Sequence, residues 1–434
     1  MIADLHLKDF VERRALENLQ LERLRETLHR VYQNVPFYRQ SFDRAGVKPS
    51  DLKSLRDLSK FPFTNKADLR DAYPFGLIST PMRDIVRIHA SSGTTGKPTV
   101  VCYTRNDLEV WSETVSRVLM MGKVSVDDIV LISYGYGLFT GGLGAHGGAE
   151  RLGCAVIPMG GGATEKQLML IKDFNVTGIC CTPSFFIHIM EEAEKIGFDL
   201  KKTKLRVGFF GAEPWSEEMR SRIETGSGVR AHDIFGLSEI IGPGVSSDCE
   251  ARCGLHVFED HFLPEIIDPS SGEVKAPGEE GELVFTTISK TGMPLIRYRT
   301  RDLSRLNYDR CDCGRSMVRM DRVRRRSDDM LIIRGVNLYP SQIESVLLSI
   351  KGTEPHYQLV VSREKALDDL EVRVEVSPLV FSDEVRVLEA LRAEISSKIK
   401  QLIGLSAKIT LVEPGTIERS IGKAKRVLDL RKLN

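Results

Sequence analysis

The sequence lacks several features that would place it in a common class of protein. No apolar run approaches the roughly 20 residues that a membrane-spanning helix requires. Lys plus Arg number 61 and Asp plus Glu number 60, and this balance gives no support for binding nucleic acid or adsorbing to a membrane. We expect no secretory signal, because Met1 to Asp4 lack a basic segment followed by an apolar one. The sequence also contains no internal repeat and no low-complexity segment.

What the sequence contains is typical of a folded globular protein. Of its 434 residues, 41% are hydrophobic and 28% are charged. At roughly 150 residues per domain, this length predicts two or three domains. Because no secretory signal is expected, we place the protein in the reducing cytoplasm. We therefore expect its eight cysteines to bind metal before they form disulfides.

The hydrophobic pattern predicts an α/β protein with a different C-terminal region. Leu21 to Val31 show helical spacing, which ends before Pro36. Buried strands then alternate with helices, so we expect a largely parallel sheet. The predicted strands are 129–133, 178–182 and 207–211, and the predicted helices are 165–174 and 185–196.

Two further regions differ from this alternation. Residues 262–306 are rich in Gly, Pro and β-forming residues and indicate an antiparallel β subdomain. The last hundred residues predict a small α+β domain: a half-buried strand over 370–376, a helix containing Leu388 to Ile399 and ending near Gly404, and a strand over 408–412.

A glycine- and hydroxyl-rich segment is the first candidate for chemistry. It comprises Ser91, Ser92, Gly93, Thr94, Thr95, Gly96 and Lys97 and is followed by Pro98. Glycine lets the backbone approach a phosphate, hydroxyls donate hydrogen bonds, and the lysine adds positive charge. The segment is not a Walker A loop, because only two residues separate its glycines and Pro98 follows the lysine. We interpret it as a phosphate-binding loop rather than a polar surface turn.

This segment resembles the phosphate loop of the adenylate-forming superfamily, which contains acyl-CoA synthetases, luciferases and peptide-synthetase adenylation domains. Four further motifs resemble that superfamily in the same order: Phe235–Glu239 (FGLSE), Tyr298–Asp302 (YRTRD), Arg326–Asp329 (RSDD) followed by Gly335, and Gly422–Arg426 (GKAKR). Residues 133–142, 236–244 and 331–337 are closest to the phenylacetate–CoA ligase branch. The five motifs span residues 91–426, which is most of the chain.

The resemblance implies an activity and roles for individual residues. It implies that an aryl-acetic acid reacts with ATP to give an acyl-adenylate, which is transferred to CoA. Lys423 and Glu239 would be catalytic, Lys423 contacting the carboxylate and the α-phosphate and Glu239 holding Mg²⁺. The implied ATP and AMP contacts are the phosphate loop together with Gly211, Ala212, Glu213, Asp233, Phe235, Gly236, Ser238, Asp302 and Arg326. Many relatives have Tyr where this sequence has Phe235, so a phenol contact is missing here.

The same resemblance suggests an acid pocket and a hinge. Tyr136 and Phe139 would line the pocket, the alternative being that both belong to the core. Asp328 would be the hinge of a mobile C-terminal domain, and Gly335 would let CoA pass close to the backbone. The nearby Gly142–Gly147 segment matches GxGxxG, but no clean βαβ context follows, and we interpret it as a tight turn into a helix.

A separate cluster of cysteines predicts a structural zinc site. Cys249, Cys253 and His256 precede Cys311 and Cys313 by more than fifty residues. Tetrahedral zinc takes four ligands, and our preferred set is Cys249, His256, Cys311 and Cys313, with Cys253 as the alternative. Reduced buried thiols are the other interpretation.

We therefore expect an adenylate-forming α/β domain over residues 1–326, with several subdomains, and a small mobile α+β domain over 327–434. The expected small molecules are an aromatic acid, ATP, Mg²⁺ and CoA, with no nucleic-acid or membrane partner, and a homodimer is compatible with the resemblance. Another aromatic acid, of the indoleacetate or benzoate type, or an acceptor other than CoA remains an alternative. A non-catalytic zinc-dependent binding module is the alternative from another class.

Overall fold

The structure of the chain is a computed structural model. It describes residues 7–91, 98–323, 325–327, 331–333, 336–364, 367–377, 380, 385–418 and 426–431. Among these residues, no helix combines the length and apolar character needed to cross a bilayer. All eight cysteines lie within the described residues and are free thiols.

The chain divides into two compact units. The first comprises Met1–Cys181, Lys202–Ala212 and Arg230–Val323, and the second comprises Thr182–Lys201, Glu213–Val229 and Arg324–Asn434. The second unit thus takes in two segments that precede residue 326. The division into functional domains at residue 326 stays a prediction.

Six α-helices of the described residues belong to the first unit. They are α1 (Arg13–Asn34), α2 (Pro36–Ala45), α3 (Lys66–Asp71), α4 (Arg105–Met121), α5 (Gly141–Leu152) and α6 (Thr164–Asp173). Leu24, Leu28 and Val31 of α1 are fully buried, as their spacing predicts. Pro36 ends the pattern of α1 and also begins α2, because proline lacks an N–H and fits the first turn of a helix.

The strands of the first unit are β1 (Ile85–Ser91), β2 (Thr99–Thr104), β3 (Ile129–Ile132), β4 (Ala155–Ile157), β5 (Gly178–Cys181), β6 (Val207–Gly211), β7 (Arg230–Leu237), β8 (Gly242–Asp248), β9 (Leu255–Val257), β10 (Phe262–Ile267), β11 (Gly281–Thr287), β12 (Tyr298–Ser304), β13 (Leu306–Asn307) and β14 (Arg319–Met320). The main sheet has the order β13-β14-β9-β8-β7-β6-β5-β3-β4. Strands β3 to β7 are parallel, which confirms the expected α/β architecture.

The strand order creates a topological switch point at β3. Strand β4 pairs with one side of β3, whereas β5 pairs with the other side and leads on to β6 and β7. In open parallel sheets, ligands bind beyond the carboxyl ends of the strands where the order reverses. The residues that follow β3 are therefore where a ligand is expected.

The predicted antiparallel region over 262–306 is also present. Strands β10 and β11 pair antiparallel, and so do β11 and β12. Inward residues such as Phe285 and Leu283 are fully buried and join the core of the first unit.

The glycines of the GxGxxG match lie inside α5, not in a turn before it, so this expectation was wrong in its detail. The helix begins at Gly141. A Cβ at Gly144 would lie 2.3 Å from the Trp111 ring, and one at Gly148 would lie 2.3 Å from Val115. Glycine is needed because α5 packs closely against α4, although glycine disfavours a helix by roughly 1 kcal/mol.

The second unit contains α7 (Pro183–Lys195), α8 (Glu217–Ser227), α9 (Pro340–Leu348), α10 (Val385–Ile403), β15 (Arg325–Arg326), β16 (Leu331–Ile333), β17 (Val336–Leu338), β18 (Thr353–Glu364), β19 (Leu367–Val376), β20 (Lys408–Val412) and β21 (Val427–Asp429). Its four-stranded sheet has the order β20-β19-β18-β21. Val372, Val374, Ile395 and Ile399 are fully buried in its core. The alternation over 370–376 and the helical spacing over 388–399 are thereby confirmed.

Candidate active site

Several predicted site residues lie beyond the carboxyl ends of the parallel strands. Tyr136 and Phe139 follow β3, Ala212 follows β6, and Phe235 and Gly236 form the end of β7. These acid-pocket and nucleotide residues are therefore placed at the same edge of the main sheet, at and beside the switch point.

Part of the predicted site lies outside the described residues. This applies to Ser92, Gly93, Thr94, Thr95, Gly96 and Lys97, to Asp328 and Gly335, and to Lys423. Ser91 is described at its backbone only, where it ends β1 and pairs with Thr99 of β2. The segment of the phosphate loop thus starts where β1 stops and ends where β2 begins.

Tyr136 lies at the switch point and is held by a chain of polar contacts. Its ring is about one-third exposed. Its hydroxyl lies 3.1 Å from His146 Nδ1, and His146 Nε2 lies 2.9 Å from a carboxylate oxygen of Glu150. Burial raises the pKa of Tyr136, so the phenol is neutral near pH 7. The side chain therefore offers an apolar ring with a fixed hydroxyl.

Phe139 is more exposed than a core residue, and it belongs to a segment in contact with the nucleotide motif. Its ring is 44% exposed and covers Gly141, where a Cβ would lie 2.6 Å from the ring. The next residue, Thr140, is buried, and its Oγ1 lies 2.9 Å from Ser238 Oγ. The predicted acid segment and the predicted nucleotide motif thus touch directly.

Glu239 is a buried carboxylate at the end of this motif. The residue is 5% exposed, and its Oε1 lies 3.3 Å from Lys66 Nζ. A carboxylate with so little exposure needs a cation nearby. Lys66 supplies one, and its position close to Glu239 had no signal in the sequence.

Two glycines fix the backbone around the motif. A Cβ at Gly236 would lie 1.9 Å from the carbonyl oxygen of Gly242, and a Cβ at Gly211 would lie 2.1 Å from that of Ile234. Neither position can carry a side chain. Phe235 is half-buried with its ring 6.2 Å from that of Phe285, so one part of it remains accessible at the edge of the sheet.

The other predicted nucleotide residues differ in their surroundings. Asp302 is buried on β12. The carboxylate of Asp233 accepts a hydrogen bond from Arg322 Nε at 2.7 Å, which favours a supporting role. Ala212 has a φ of +70°, a strained conformation for a residue with a Cβ and one that often marks functional sites.

Glu213 and Arg326 lie in the second unit. There, Glu213 accepts a hydrogen bond from the backbone N–H of Ser184 at 2.8 Å, which places its carboxylate at the start of α7. Arg326 is half-buried on β15.

The structure brings together the four preferred zinc ligands. The ligand atoms of Cys249, His256, Cys311 and Cys313 all lie within 4.8 Å of one another. Cys249 Sγ and Cys311 Sγ are 3.8 Å apart, and Cys313 Sγ and His256 Nε2 are 3.4 Å apart. Tetrahedral zinc at ordinary bond lengths would separate two sulfurs by about 3.8 Å and a sulfur from a nitrogen by about 3.5 Å. The residues present fit zinc.

Local structure favours the same site, and the thiols of the group differ in how readily they ionise. Gly314, which follows Cys313, has a φ of +83°, so the turn requires glycine. Burial opposes ionisation of Cys313, but hydrogen bonds from His256 and Arg315 outweigh it and lower its pKa to about 5. Burial raises the pKa of Cys249 to about 12. Cys253, the alternative ligand, is exposed and lies outside this group.

Sequence reasoning missed three residues close to the motif besides Lys66. Thr140 contacts Ser238, and Lys290 Nζ lies 3.1 Å and 2.9 Å from the carbonyl oxygens of Glu239 and Ile240. Tyr103 donates to the same turn. Only Lys290 had a signal in the sequence, where it is the single lysine between Ile288 and Met293 in a region rich in β-forming residues.

Comparison with known proteins agrees with this geometry. Residues 12–291 match the family model "AMP-binding enzyme", and residues 335–431 match "AMP-binding enzyme C-terminal domain". The chain is 53% identical to a phenylacetate–coenzyme A ligase of Aromatoleum evansii, over 96% of this chain and 94% of that protein. It is 52% identical to a phenylacetate–coenzyme A ligase of Escherichia coli strain K12, over 96% and 95% of the two chains.

The chain belongs to the phenylacetate–CoA ligase family of AMP-binding enzymes. This confirms the resemblance drawn from the five motifs. Among solved structures, 2-hydroxyisobutyryl-CoA ligase in the postadenylation state, in complex with 2-HIB-AMP, is 30% identical with a TM-score of 0.92. The match covers 97% of this chain and 91% of that one, which confirms the adenylate-forming fold.

Proposed function

We propose that the protein activates an aryl-acetic acid, most favourably phenylacetate, with ATP and transfers the acyl group to CoA. A carboxylate oxygen attacks the α-phosphorus of ATP, and pyrophosphate leaves. The CoA sulfur then attacks the acyl carbon of the adenylate, its proton is released, and AMP leaves. Each step requires in-line positioning and stabilisation of developing negative charge.

One observation carries this proposal. Thr140 and Ser238 are in hydrogen-bond contact, so the segment of Tyr136 and Phe139 lies against the segment of Phe235 and Glu239. An acid between the aromatic pair and a nucleotide along the second segment would be neighbours. That is the arrangement that a reaction between a carboxylate and an α-phosphate requires.

The residues take the following roles in the proposal. Tyr136 and Phe139 contact the aromatic ring of the acid, Phe235 lies against adenine, and Asp302 accepts hydrogen bonds from ribose hydroxyls. Ser92 to Lys97 surround the phosphates. Gly211, Ala212 and Gly236 give the nucleotide close access to the backbone. Lys423 donates to the carboxylate and the α-phosphate, Arg326 contacts the ribose or a phosphate, and Asp328 and Gly335 belong to the mobile C-terminal domain.

Glu239 fits a role in holding magnesium. Its carboxylate is a hard oxygen ligand in a buried position, and Mg²⁺ binds through one or two carboxylates together with substrate phosphates. An ion held there would supply positive charge to the phosphates. Lys66 balances the carboxylate when no ion is present.

The test is pyrophosphate release with phenylacetate, indole-3-acetate, benzoate and acetate, each with and without CoA. We expect CoA-dependent turnover to be fastest with phenylacetate. Pyrophosphate release that does not depend on CoA would support adenylation but indicate that the acyl group is transferred to a different acceptor. No acid-dependent release with any of the four acids would contradict the proposal.

We further propose that Cys249, His256, Cys311 and Cys313 bind one structural zinc ion. The group joins the end of β8, strand β9 and the turn around Gly314. Elemental analysis of protein produced in zinc-supplemented medium should find about one zinc per chain. Protein that folds and holds no zinc would contradict the assignment. The group would then consist of three reduced thiols and one imidazole.

We also propose a cytoplasmic location and, from the resemblance, a homodimer. Light scattering combined with size-exclusion chromatography tests the oligomeric state. A mass of twice the chain mass of 48.6 kDa is expected, and a single chain mass would contradict the dimer.

A further inference from the structure

The backbone turn at the end of the nucleotide motif, Ser238–Ile241, is held by two buried side chains. Tyr103 Oη lies 3.3 Å from the carbonyl oxygen of Ser238 and 3.0 Å from that of Ile241. Lys290 Nζ lies 3.1 Å from the carbonyl oxygen of Glu239 and 2.9 Å from that of Ile240. Four consecutive carbonyl groups are thus within hydrogen-bond distance of only two donors.

The two donors also contact each other, and they come from different parts of the chain. Lys290 Nζ lies 4.8 Å from the centre of the Tyr103 ring. Tyr103 is on β2, whereas Lys290 follows β11. Tyr103 is completely buried and Lys290 is 1% exposed. The turn is therefore fixed to two elements that do not adjoin it in sequence.

Burying a lysine is costly, because an ammonium group loses its hydration. An apolar residue of the same length would fill the space at a smaller cost in desolvation. Lys290 donates its hydrogen bonds to backbone carbonyls of one short turn, and these bonds fix the path of that turn. The carbonyl oxygen of Pro243, two residues beyond the turn, accepts a further hydrogen bond from Trp111 Nε1 at 2.9 Å.

The turn carries the two side chains whose direction matters for the reaction. Ser238 Oγ contacts Thr140, and the Glu239 carboxylate is buried near Lys66. A shift of the turn by about 1 Å would move both groups, and errors of that size reduce catalysis strongly. The carbonyl contacts are thus well placed to control where the Glu239 carboxylate lies.

We propose that Lys290 and Tyr103 are positioning residues that fix the Ser238–Ile241 turn and thereby hold the Glu239 carboxylate in place for magnesium-bound ATP. This inference rests on the proposed function. Neither residue contacts the substrates in the proposal. Their effect is transmitted through the backbone of the turn.

Tyr103→Phe is the main test, because it removes one hydroxyl and keeps the ring. We expect the Mg²⁺ concentration for half-maximal adenylation to rise at least five-fold and kcat to fall about ten-fold. The KM for phenylacetate should stay within two-fold of the wild-type value. The affinity of the ATP-bound protein for Mn²⁺, measured by electron paramagnetic resonance, should fall at least five-fold. This measurement does not depend on turnover.

Tyr38→Phe is the matched control. Tyr38 is 1% exposed, and its hydroxyl contacts the carbonyl oxygen of Pro294 at 3.4 Å and Thr64 Oγ1 at 3.1 Å. This variant also loses one buried phenol hydroxyl, so it should lower thermal stability and leave the Mg²⁺ requirement and Mn²⁺ binding unchanged. Lys290→Met should repeat the Tyr103→Phe pattern with a larger effect, and Tyr103→Phe keeps the inference testable if Lys290→Met fails to fold.

The outcomes separate the inference from the proposed function. A Tyr103→Phe protein with the wild-type Mg²⁺ requirement, kcat and Mn²⁺ affinity would overturn the inference, even if its stability falls. A wild-type protein that releases no pyrophosphate with any acid would overturn the proposed function and this inference together.

Discussion

Thr140 Oγ1 and Ser238 Oγ lie 2.9 Å apart, and both residues are buried. Thr140 ends the segment that follows the switch-point strand β3, and Ser238 belongs to the motif that ends β7. The contact joins the proposed acid side of the site to the proposed nucleotide side. The proposed reaction between acid and nucleotide depends on this proximity.

Tyr136→Ala should impair binding of the acid selectively. Removing the ring takes away apolar contact with the aromatic acid, and we expect the KM for phenylacetate to rise about ten-fold, which corresponds to roughly 1.4 kcal/mol. The KM for ATP should change less than two-fold. Steady-state pyrophosphate release measures both constants.

Tyr136→Phe is the control for this variant, because it keeps the ring and loses only the contact with His146. It should stay within about three-fold of the wild type. Equal increases in the KM values for acid and ATP in Tyr136→Ala would instead assign Tyr136 to the general fold of the site.

Lys423→Ala should abolish most of the adenylation activity and leave ATP binding unchanged. A lysine that stabilises charge developing in the transition state contributes about 10²–10³ in rate. The acid-dependent exchange of pyrophosphate into ATP measures adenylation, and calorimetry measures ATP binding. Lys425→Ala removes the same charge from the same segment and should be nearly normal. Near-normal exchange in Lys423→Ala would remove this lysine from the mechanism.

Cys249→Ser should lose zinc and stability, whereas Cys253→Ser should keep both. Cys249 is buried within the ligand group, and Cys253 is exposed outside it. Loss of one of four ligands lowers metal affinity, and binding of a structural metal contributes to folding. Zinc content and thermal unfolding are the measurements. The same change in both variants would show that the exposed cysteine also binds, and no change in either would refute the site.

Glu113→Gln on α4 should lower stability at neutral pH. Burial disfavours the carboxylate, but His261 and Lys8 outweigh it and lower the pKa of Glu113 to about 2. Since the folded-state pKa lies below the unfolded value near 4.5, ionised Glu113 stabilises the fold above pH 4.5, and this contribution disappears as the pH falls towards 2. We expect a loss of roughly 2–3 kcal/mol at pH 7.

Urea denaturation at pH 7 and at pH 3 measures this loss, which should be smaller at pH 3. Glu109→Gln lies on the same helix, and its side chain is 66% exposed in a surface ion pair with Arg151. That variant should change the free energy of unfolding by less than 0.5 kcal/mol or so. A loss of stability in Glu113→Gln that is equal at both pH values would contradict the assigned pKa.

The sequence predicted the elements of the fold well, because its apolar periods are long and clear. The strand over 408–412 has the predicted bounds, and the helix predicted over 165–174 spans Thr164–Asp173. Local pattern did not predict α2, since Pro36 both ends one helix and begins the next. It also misplaced Gly142 to Gly147, because their helix depends on close packing against Trp111 and Val115, a long-range contact that spacing does not reveal.

Site residues could be predicted where they belong to a recognisable sequence motif, and the others could not. The four cysteine and histidine ligands were chosen from residue type and spacing, and the structure brings them together. Lys66, Thr140 and Lys290 act through contacts with residues far away in sequence. A lone lysine or threonine carries no motif, so only the folded chain shows that each reaches the same turn.

The fate of the carboxylate oxygens of labelled phenylacetate distinguishes adenylation from other ways of activating the acid. If a carboxylate oxygen attacks the α-phosphorus of ATP, turnover of phenylacetate labelled with ¹⁸O in both carboxylate oxygens, with ATP and CoA, must transfer one label to AMP. We expect mass spectrometry to find AMP with one ¹⁸O and phenylacetyl-CoA with the other. Unlabelled AMP, or formation of ADP and phosphate in place of AMP, would contradict the account.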